Sequence, residues 1–155
     1  MTPGIFLMTI FVFQSIVAFF FMGYFLFEFN QFKKRGAFTM AFTHYQQIRD
    51  QELPSMEIDN VKAFLKDFSV SEDIEKPITS GLFRLEAGES LEYTYTYHEM
   101  KLIVDGSFII QDESGQKVTA KPGDLFYFPK GSAITFSTPD FGVGFFCGQR
   151  GEDEA

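Results

Sequence analysis

"GDLFYFPKG" runs from Gly123 to Gly131 and frames a five-residue apolar strand between a glycine turn and a Pro-Lys-Gly turn. The same unit recurs on both sides of it. "GLFRLE", "LEYTYTY", "MKLIV", "SFIIQD", "QKVTA", "AITFS" and "GVGFFC" are separated by "AGES", "DG", "ESG", "KPG", "PKG" and "TPDFG". Short strands at regular spacing with Gly and Pro turns predict an all-β sandwich or barrel. The glycine-rich turns predict hairpins. The barrel is expected over residues 77–150, with residues 151–155, "GEDEA", as a solvated acidic tail.

A second pattern lies upstream in "EYTYTYHEMKLIVDG", Glu92 to Gly106, where Glu99 is followed by six residues and then Gly106. Together with Gly123, five residues and Pro129-Lys130-Gly131, it resembles the paired signature motifs of the cupins. Those are double-stranded β-helix (jelly-roll) barrels. "YHEM" and "AKPGDLFYFPKGSAITFSTP" further resemble the ethanolamine-utilisation Q (EutQ-like) branch. The resemblance covers the barrel and speaks to fold; function still rests on the site.

By that resemblance, a metal-binding cupin would carry ligands at about Tyr93, Tyr95, Glu99 and Ile134, and only Glu99 keeps a ligating side chain of the usual kind. A phenol must lose a proton of pKa near 10 to bind a divalent ion, and Ile134 cannot ligate. No metal or other cofactor is therefore expected, apart from weak divalent binding through His98, Glu99 and a tyrosinate. The ligand positions of such a strand face inward, so the resemblance makes Tyr93, Tyr95, Tyr97, Glu99 and Lys101 the pocket set. Alternation then puts Thr94, Thr96, His98, Met100 and Leu102 on the opposite face. A barrel of this size holds one small ligand. Phe126 and Phe128, or their neighbours Leu125 and Tyr127, would add to the pocket, and Arg84 would reach its mouth.

These residue types support proton transfer beside a carbonyl: isomerisation, dehydration, cyclisation or another lyase step. Glu99 would be the general base or acid, Tyr95 or Tyr97 the oxyanion partner, and His98 or Lys101 an assistant. A scaffold or ligand-binding barrel explains the same residues more plainly. Tyr–Thr alternation is also what any well-formed strand shows, and Lys101 is an ordinary salt-bridge partner. Glu99 argues most strongly for use, because a carboxylate in a barrel interior is costly unless paired or functional. The resemblance adds a third activity, acetate kinase, although no phosphate-cradling loop is visible. Small cupins commonly pair through sheet edges, so a homodimer is expected.

The 155-residue chain has a net charge of −8, which disfavours nucleic acid as a partner. Its single cysteine, Cys147, excludes an internal disulfide framework. Residues 1–35 stand apart. "GIFLMTIFVFQSIVAFFFMGYFLF" carries no charge before Glu28 and is followed by "KKR", Lys33 to Arg35. Residues 5–27 have the length and polarity of a single membrane-spanning helix, with the barrel on the cytoplasmic side. A translation start at Met40 or Met56 gives the same appearance, and the protein is then cytoplasmic. A buried core helix is the remaining alternative. Residues 36–76 read as a linker with one short amphipathic helix in "DNVKAFLKDF", where Val61, Phe64, Leu65 and Phe68 fall at helical spacing behind an Asp59 cap.

Overall fold

The computed structural model describes residues 41–155 and contains nine β-strands. In chain order they are β1 Ala63–Val70, β2 Thr79–Glu86, β3 Leu91–Thr94, β4 Glu99–Gly106, β5 Phe108–Asp112, β6 Lys117–Ala120, β7 Leu125–Phe128, β8 Ala133–Ser137 and β9 Phe141–Gly148. A five-stranded sheet runs β1-β2-β9-β4-β7 and a four-stranded sheet runs β3-β8-β5-β6. Every pairing between these strands is antiparallel. From β2 onward the chain changes sheet at each connection except β5 to β6. That is the jelly-roll arrangement that the cupin resemblance implies.

The expectation of hairpins needs correcting. "ESG" joins two paired strands, β5 and β6, and there Asp112 Oδ1 accepts from the Ser114 and Gln116 N–H groups at 2.9 and 3.0 Å. "DG", "KPG", "PKG" and "TPDFG" instead carry the chain from one sheet to the other. Gly106 shows why glycine is used at such a corner. Its φ is +60°, and a Cβ there would press into the Phe141 carbonyl.

The helix expected in "DNVKAFLKDF" is also corrected. Ala63 to Val70 is a strand paired with β2, and Ile58 to Val61 is a turn closed by Val61 N–H to the Ile58 carbonyl at 3.2 Å. The apolar positions fit either period over so short a run. Pairing with a strand whose own inward face is Phe83 and Leu85 outweighs the local helical pattern. On β1, Ala63 is buried and Leu65 packs against the core. The segment assigned to a linker therefore contributes a strand of the five-stranded sheet.

The core lies between the sheets and is dominated by rings. Phe83, Phe108, Phe128, Phe136 and Phe146 are buried with Leu85, Leu91, Ile103, Ile110 and Ile134. Phe83 stacks on Phe108 at 5.8 Å between centroids, and Phe136 meets Phe83, Phe108 and Phe128 edge-on. Aromatic contacts of this geometry add to area burial, about 0.5–1.5 kcal/mol per pair. Residues Tyr45–Ala155 make one compact unit. Among the described residues no helix is long and apolar enough to cross a membrane, and residues 5–27 lie outside them.

Candidate functional site: a tyrosine–glutamate–lysine cluster inside the barrel

The site forms where the chain leaves the four-stranded sheet at Thr94 and enters the five-stranded sheet at Glu99. Two backbone hydrogen bonds to the "PKG" turn hold the link between them. Tyr95 N–H donates to the Ser132 carbonyl at 2.9 Å, and Gly131 N–H to the Tyr95 carbonyl at 2.7 Å. Gln149 N–H donates to the His98 carbonyl at 2.8 Å. The link is not itself a strand, yet the inward parity survives it. Tyr95, Tyr97, Glu99 and Lys101 are each at most 7% exposed.

Glu99 Oε1 is the centre of the cluster. It accepts from the Tyr95 hydroxyl at 2.8 Å and pairs with Lys101 Nζ at 3.1 Å. Lys101 Nζ also donates to the Tyr95 hydroxyl at 3.3 Å. Rings surround the ammonium, with centroids of Phe83 at 4.5 Å, Phe136 at 4.8 Å, Phe128 at 5.8 Å and Tyr95 at 6.0 Å. Tyr95 lies flat on Phe128 with centroids 4.9 Å apart, and the hydroxyls of Tyr93 and Tyr97 are 3.2 Å apart. Two glycines of β9 make the room. A Cβ at Gly144 would sit 2.9 Å from Lys101 Cγ, and one at Gly148 3.0 Å from the Tyr97 ring.

Burial sets the protonation of the cluster. It pushes the Tyr95 hydroxyl far up, and the Glu99 charge and hydrogen bond push the same way, so Tyr95 remains a donor. Tyr97 is raised by burial, by its Tyr93 hydrogen bond and by Glu99. Burial lowers the Lys101 ammonium; Glu99 opposes this, and the charge of Arg150 adds to the lowering. The cluster opens onto a cavity of about 20 Å³, lined also by Met56, Leu65, Phe83 and Tyr93. That is room for about one water.

The other expected site residues lie elsewhere. Phe128 and Phe126 do turn inward, and their alternates Leu125 and Tyr127 are 67% and 57% exposed. Arg84 points away from the cavity: it pairs with Glu86 at 3.2 Å and lies over the Phe141 ring at 4.7 Å. His98 is exposed on the outer side of the sheet. Its Nδ1 accepts from the Lys130 N–H at 3.3 Å and is 2.9 Å from the Tyr127 hydroxyl. Neither residue joins the Glu99 cluster.

A second buried ion pair escaped the sequence reading. Arg150 is 2% exposed, and its Nη1 and Nη2 donate to Asp67 Oδ2 and Oδ1 at 2.8 and 2.7 Å. Its guanidinium lies 5.5 Å from the Tyr97 centroid and 5.3 Å from that of Phe146. Parity was the signal: Gly142, Gly144, Phe146 and Gly148 face inward, and Arg150 continues that series. Burial pushes the Asp67 carboxyl up, but Arg150 and the Asp153 N–H outweigh it and hold it below the ordinary value. The sign for stability follows. The pair contributes fully above about pH 4, the value in an unfolded chain, and its contribution is lost as pH falls through the lower native value. In urea titrations between pH 2 and 7, the wild type is expected to lose stability steeply below about pH 4, and Asp67→Asn less steeply. Equal slopes would remove this pair from the acid response.

A family model described as ethanolamine utilisation protein EutQ matches residues 28–146. The chain belongs to the EutQ family. The protein named acetate kinase EutQ of Clostridioides difficile is 43% identical over 53 residues, which are 34% of this chain and 32% of that one. Its Salmonella typhimurium namesake is 38% identical over 47 residues, 30% of this chain and 20% of that one. The chain thus spans a third or less of the curated EutQ relatives it matches. The solved Clostridium difficile EutQ structure superposes with a TM-score of 0.51 at 28% identity, covering 60% of this chain and 65% of that one. The polyketide cyclase RemF of Streptomyces resistomycificus gives a TM-score of 0.60 at 12% identity, covering 72% and 82%, which speaks to the cupin fold alone.

The cupin fold can house a divalent metal, but the side chains in this EutQ-family barrel do not suit one. Tyr93 and Tyr95 replace nitrogen donors, the Tyr95 phenol is made harder to ionise by burial, and Ile134 is 6% exposed and has no donor atom. Glu99 Oε1 already accepts from Tyr95 and pairs with Lys101.

Proposed function

We propose that the barrel takes a small carbonyl compound or carboxylic acid and moves a proton next to its carbonyl group without a metal. The reaction class is isomerisation, dehydration, cyclisation or another lyase step. One observation carries this reading: Glu99, Tyr95 and Lys101 meet within 3.3 Å of one another beside a cavity. A carboxylate takes the proton, a hydroxyl that stays protonated donates to the developing oxyanion, and an ammonium offsets the charge. The test is deuterium exchange at the α-carbon of glyoxylate homologues, 2-oxo acids and short aldehydes, followed by NMR. Exchange above the buffer rate supports the reading, and buffer-level exchange across the whole panel counts against it.

A non-catalytic barrel is the second reading. The cavity of about 20 Å³ and the four rings around Lys101 Nζ favour it, because both are what a packed structural ion pair needs. The acetate kinase name of the matched relatives defines a third. Phosphoryl transfer requires a phosphate cradle and a divalent ion. No phosphate-cradling loop is visible in the sequence, so this reading ranks below the others; ATP consumption with acetate tests it.

The proposal includes a homodimer. The outer face of the five-stranded sheet leaves Met100 56%, Leu125 67% and Tyr127 57% exposed on adjacent strands β4 and β7. Light scattering is expected to give twice the chain mass for the wild type and the monomer mass for a Met100→Lys, Leu125→Lys double variant. A wild type that stays monomeric at all concentrations contradicts the proposal.

A further inference from the structure

We propose that Lys101 is a nucleophile, forming a covalent imine with a small aldehyde or 2-oxo acid that enters the cavity. The inference rests on the proton-transfer reading above and goes beyond it, since there Lys101 acts only as a charge.

The geometry assembles what imine chemistry requires. The Lys101 amine lines the cavity wall, has a carboxylate at 3.1 Å and a phenol at 3.3 Å, and is otherwise enclosed by rings. An ammonium is not nucleophilic, so the amine must first shed a proton, and Glu99 is placed to take it. Burial, which lowers the Lys101 ammonium, works in the same direction. The amine lone pair then attacks the carbonyl carbon. A carbon–nitrogen bond forms, and the carbonyl π electrons move to oxygen, which takes the proton held by Glu99. The nitrogen returns a proton to Glu99, and the carbinolamine hydroxyl takes it and leaves as water. The net change converts an ammonium and a carbonyl into an iminium and one water, with charge conserved. The iminium draws electrons from the α-carbon, so that the Glu99 carboxylate can next remove the α-proton to give an enamine.

The surroundings suit both steps. The lysine stem packs against the bare backbone of Gly144, where a Cβ would sit 2.9 Å from Lys101 Cγ. Tyr95 donates to Glu99 and is donated to by Lys101, which ties the three groups into one proton relay. The ring walls exclude water that would hydrolyse the imine. A cavity of about 20 Å³ admits only a very small carbonyl group, which displaces its water. Met56, an unbranched and adaptable side chain on the lining, can turn aside for the rest of the molecule.

The test traps the imine on the full-length wild-type chain. The protein is incubated with glyoxylate, pyruvate or propanal at pH 7, reduced with cyanoborohydride and mapped by peptide mass. The expected result is a single reduced adduct on Lys101, at least tenfold above any of the exposed lysines such as Lys62, Lys117 or Lys121. Glu99→Gln is expected to slow that adduct tenfold or more, with the surface adducts unchanged. Adducts confined to surface lysines, with Lys101 unmodified by all three probes, overturn the proposal. The two levels separate by α-proton exchange in Lys101→Arg. Exchange that persists there but is lost in Glu99→Gln removes the imine and leaves proton transfer standing. Exchange that persists in both variants removes both. Loss in both, together with the Lys101 adduct in the wild type, supports both.

Discussion

Replacing Glu99 with Gln is expected to lower the proposed α-proton exchange per folded molecule by roughly 10² to 10⁴, the usual value of a positioned general base. The amide keeps the shape and still accepts from Tyr95, but it cannot take a proton. Stability falls as well, because the substitution strips the counter-ion from a lysine that is 5% exposed. The lysine limits that loss by shedding its own proton. A melting temperature alone therefore cannot separate a working carboxylate from a structural one. The double variant Glu99→Gln, Lys101→Met can: it removes both charges, and is expected to regain most of the lost stability while recovering none of the exchange. Tyr95→Phe, which deletes the hydroxyl 2.8 Å from Glu99, is expected to cost about tenfold. A destabilised Glu99→Gln protein with undiminished exchange would end the catalytic reading in favour of the scaffold.

The largest loss of stability is expected at Arg150. Arg150→Ala leaves the Asp67 carboxylate, whose side chain is 5% exposed, without its bidentate partner. Removing one member of a buried pair costs about 3–5 kcal/mol, and the lost packing against Tyr97 and Phe146 adds to it. A fall of on the order of 10 °C or more in melting temperature follows for a unit of this size. Asp67→Leu in the Arg150→Met background is expected to recover most of the fall, since apolar replacements of both partners are often neutral or stabilising. Failure of that recovery, measured by calorimetry, would assign the loss to packing rather than to the charge.

Much of the barrel was legible because its signals are local. Turns rich in Gly and Pro mark most strand boundaries from β2 to β9, the β3–β4 link being the exception, and "GDLFYFPKG" alone defines a strand with its two corners. What was not legible depends on pairing. β1 looked helical because Val61, Phe64, Leu65 and Phe68 fit a helix period, and only the ladder to β2 makes the stretch from Ala63 extended. The corners looked like hairpins because turn chemistry does not say which sheet receives the next strand. At the site, two-residue periodicity together with the cupin resemblance put Tyr93, Tyr95, Tyr97, Glu99 and Lys101 on the inner face, and all five line the cavity even though the link from Tyr95 to His98 is not a strand. Arg84 was misplaced by one position of the same period: its neighbours Phe83 and Leu85 face inward. Arg150 was passed over because the strand was taken to end at Cys147, three residues too early to follow its inward series.

The cluster draws its members from both halves of the barrel. Tyr93 belongs to the four-stranded sheet, Glu99 and Lys101 to the five-stranded one, and Tyr95 lies on the link between β3 and β4, hydrogen-bonded to the turn that follows β7. The three reacting groups lie within seven residues of one another in the chain, and it is the walls around them, Phe83 and Phe128 of the five-stranded sheet and Phe136 of the four-stranded one, that need both layers. They exist as a set only while the two layers remain pressed together, which places the site at the high-stability end of the molecule's local openings. Loss of chemistry on warming should then coincide with global melting instead of preceding it, and hydrogen exchange at the Tyr95 amide should be governed by whole-molecule unfolding. For the proposed chemistry, the small size of the reactant is then set by the packing of the two sheets around a cavity of about 20 Å³.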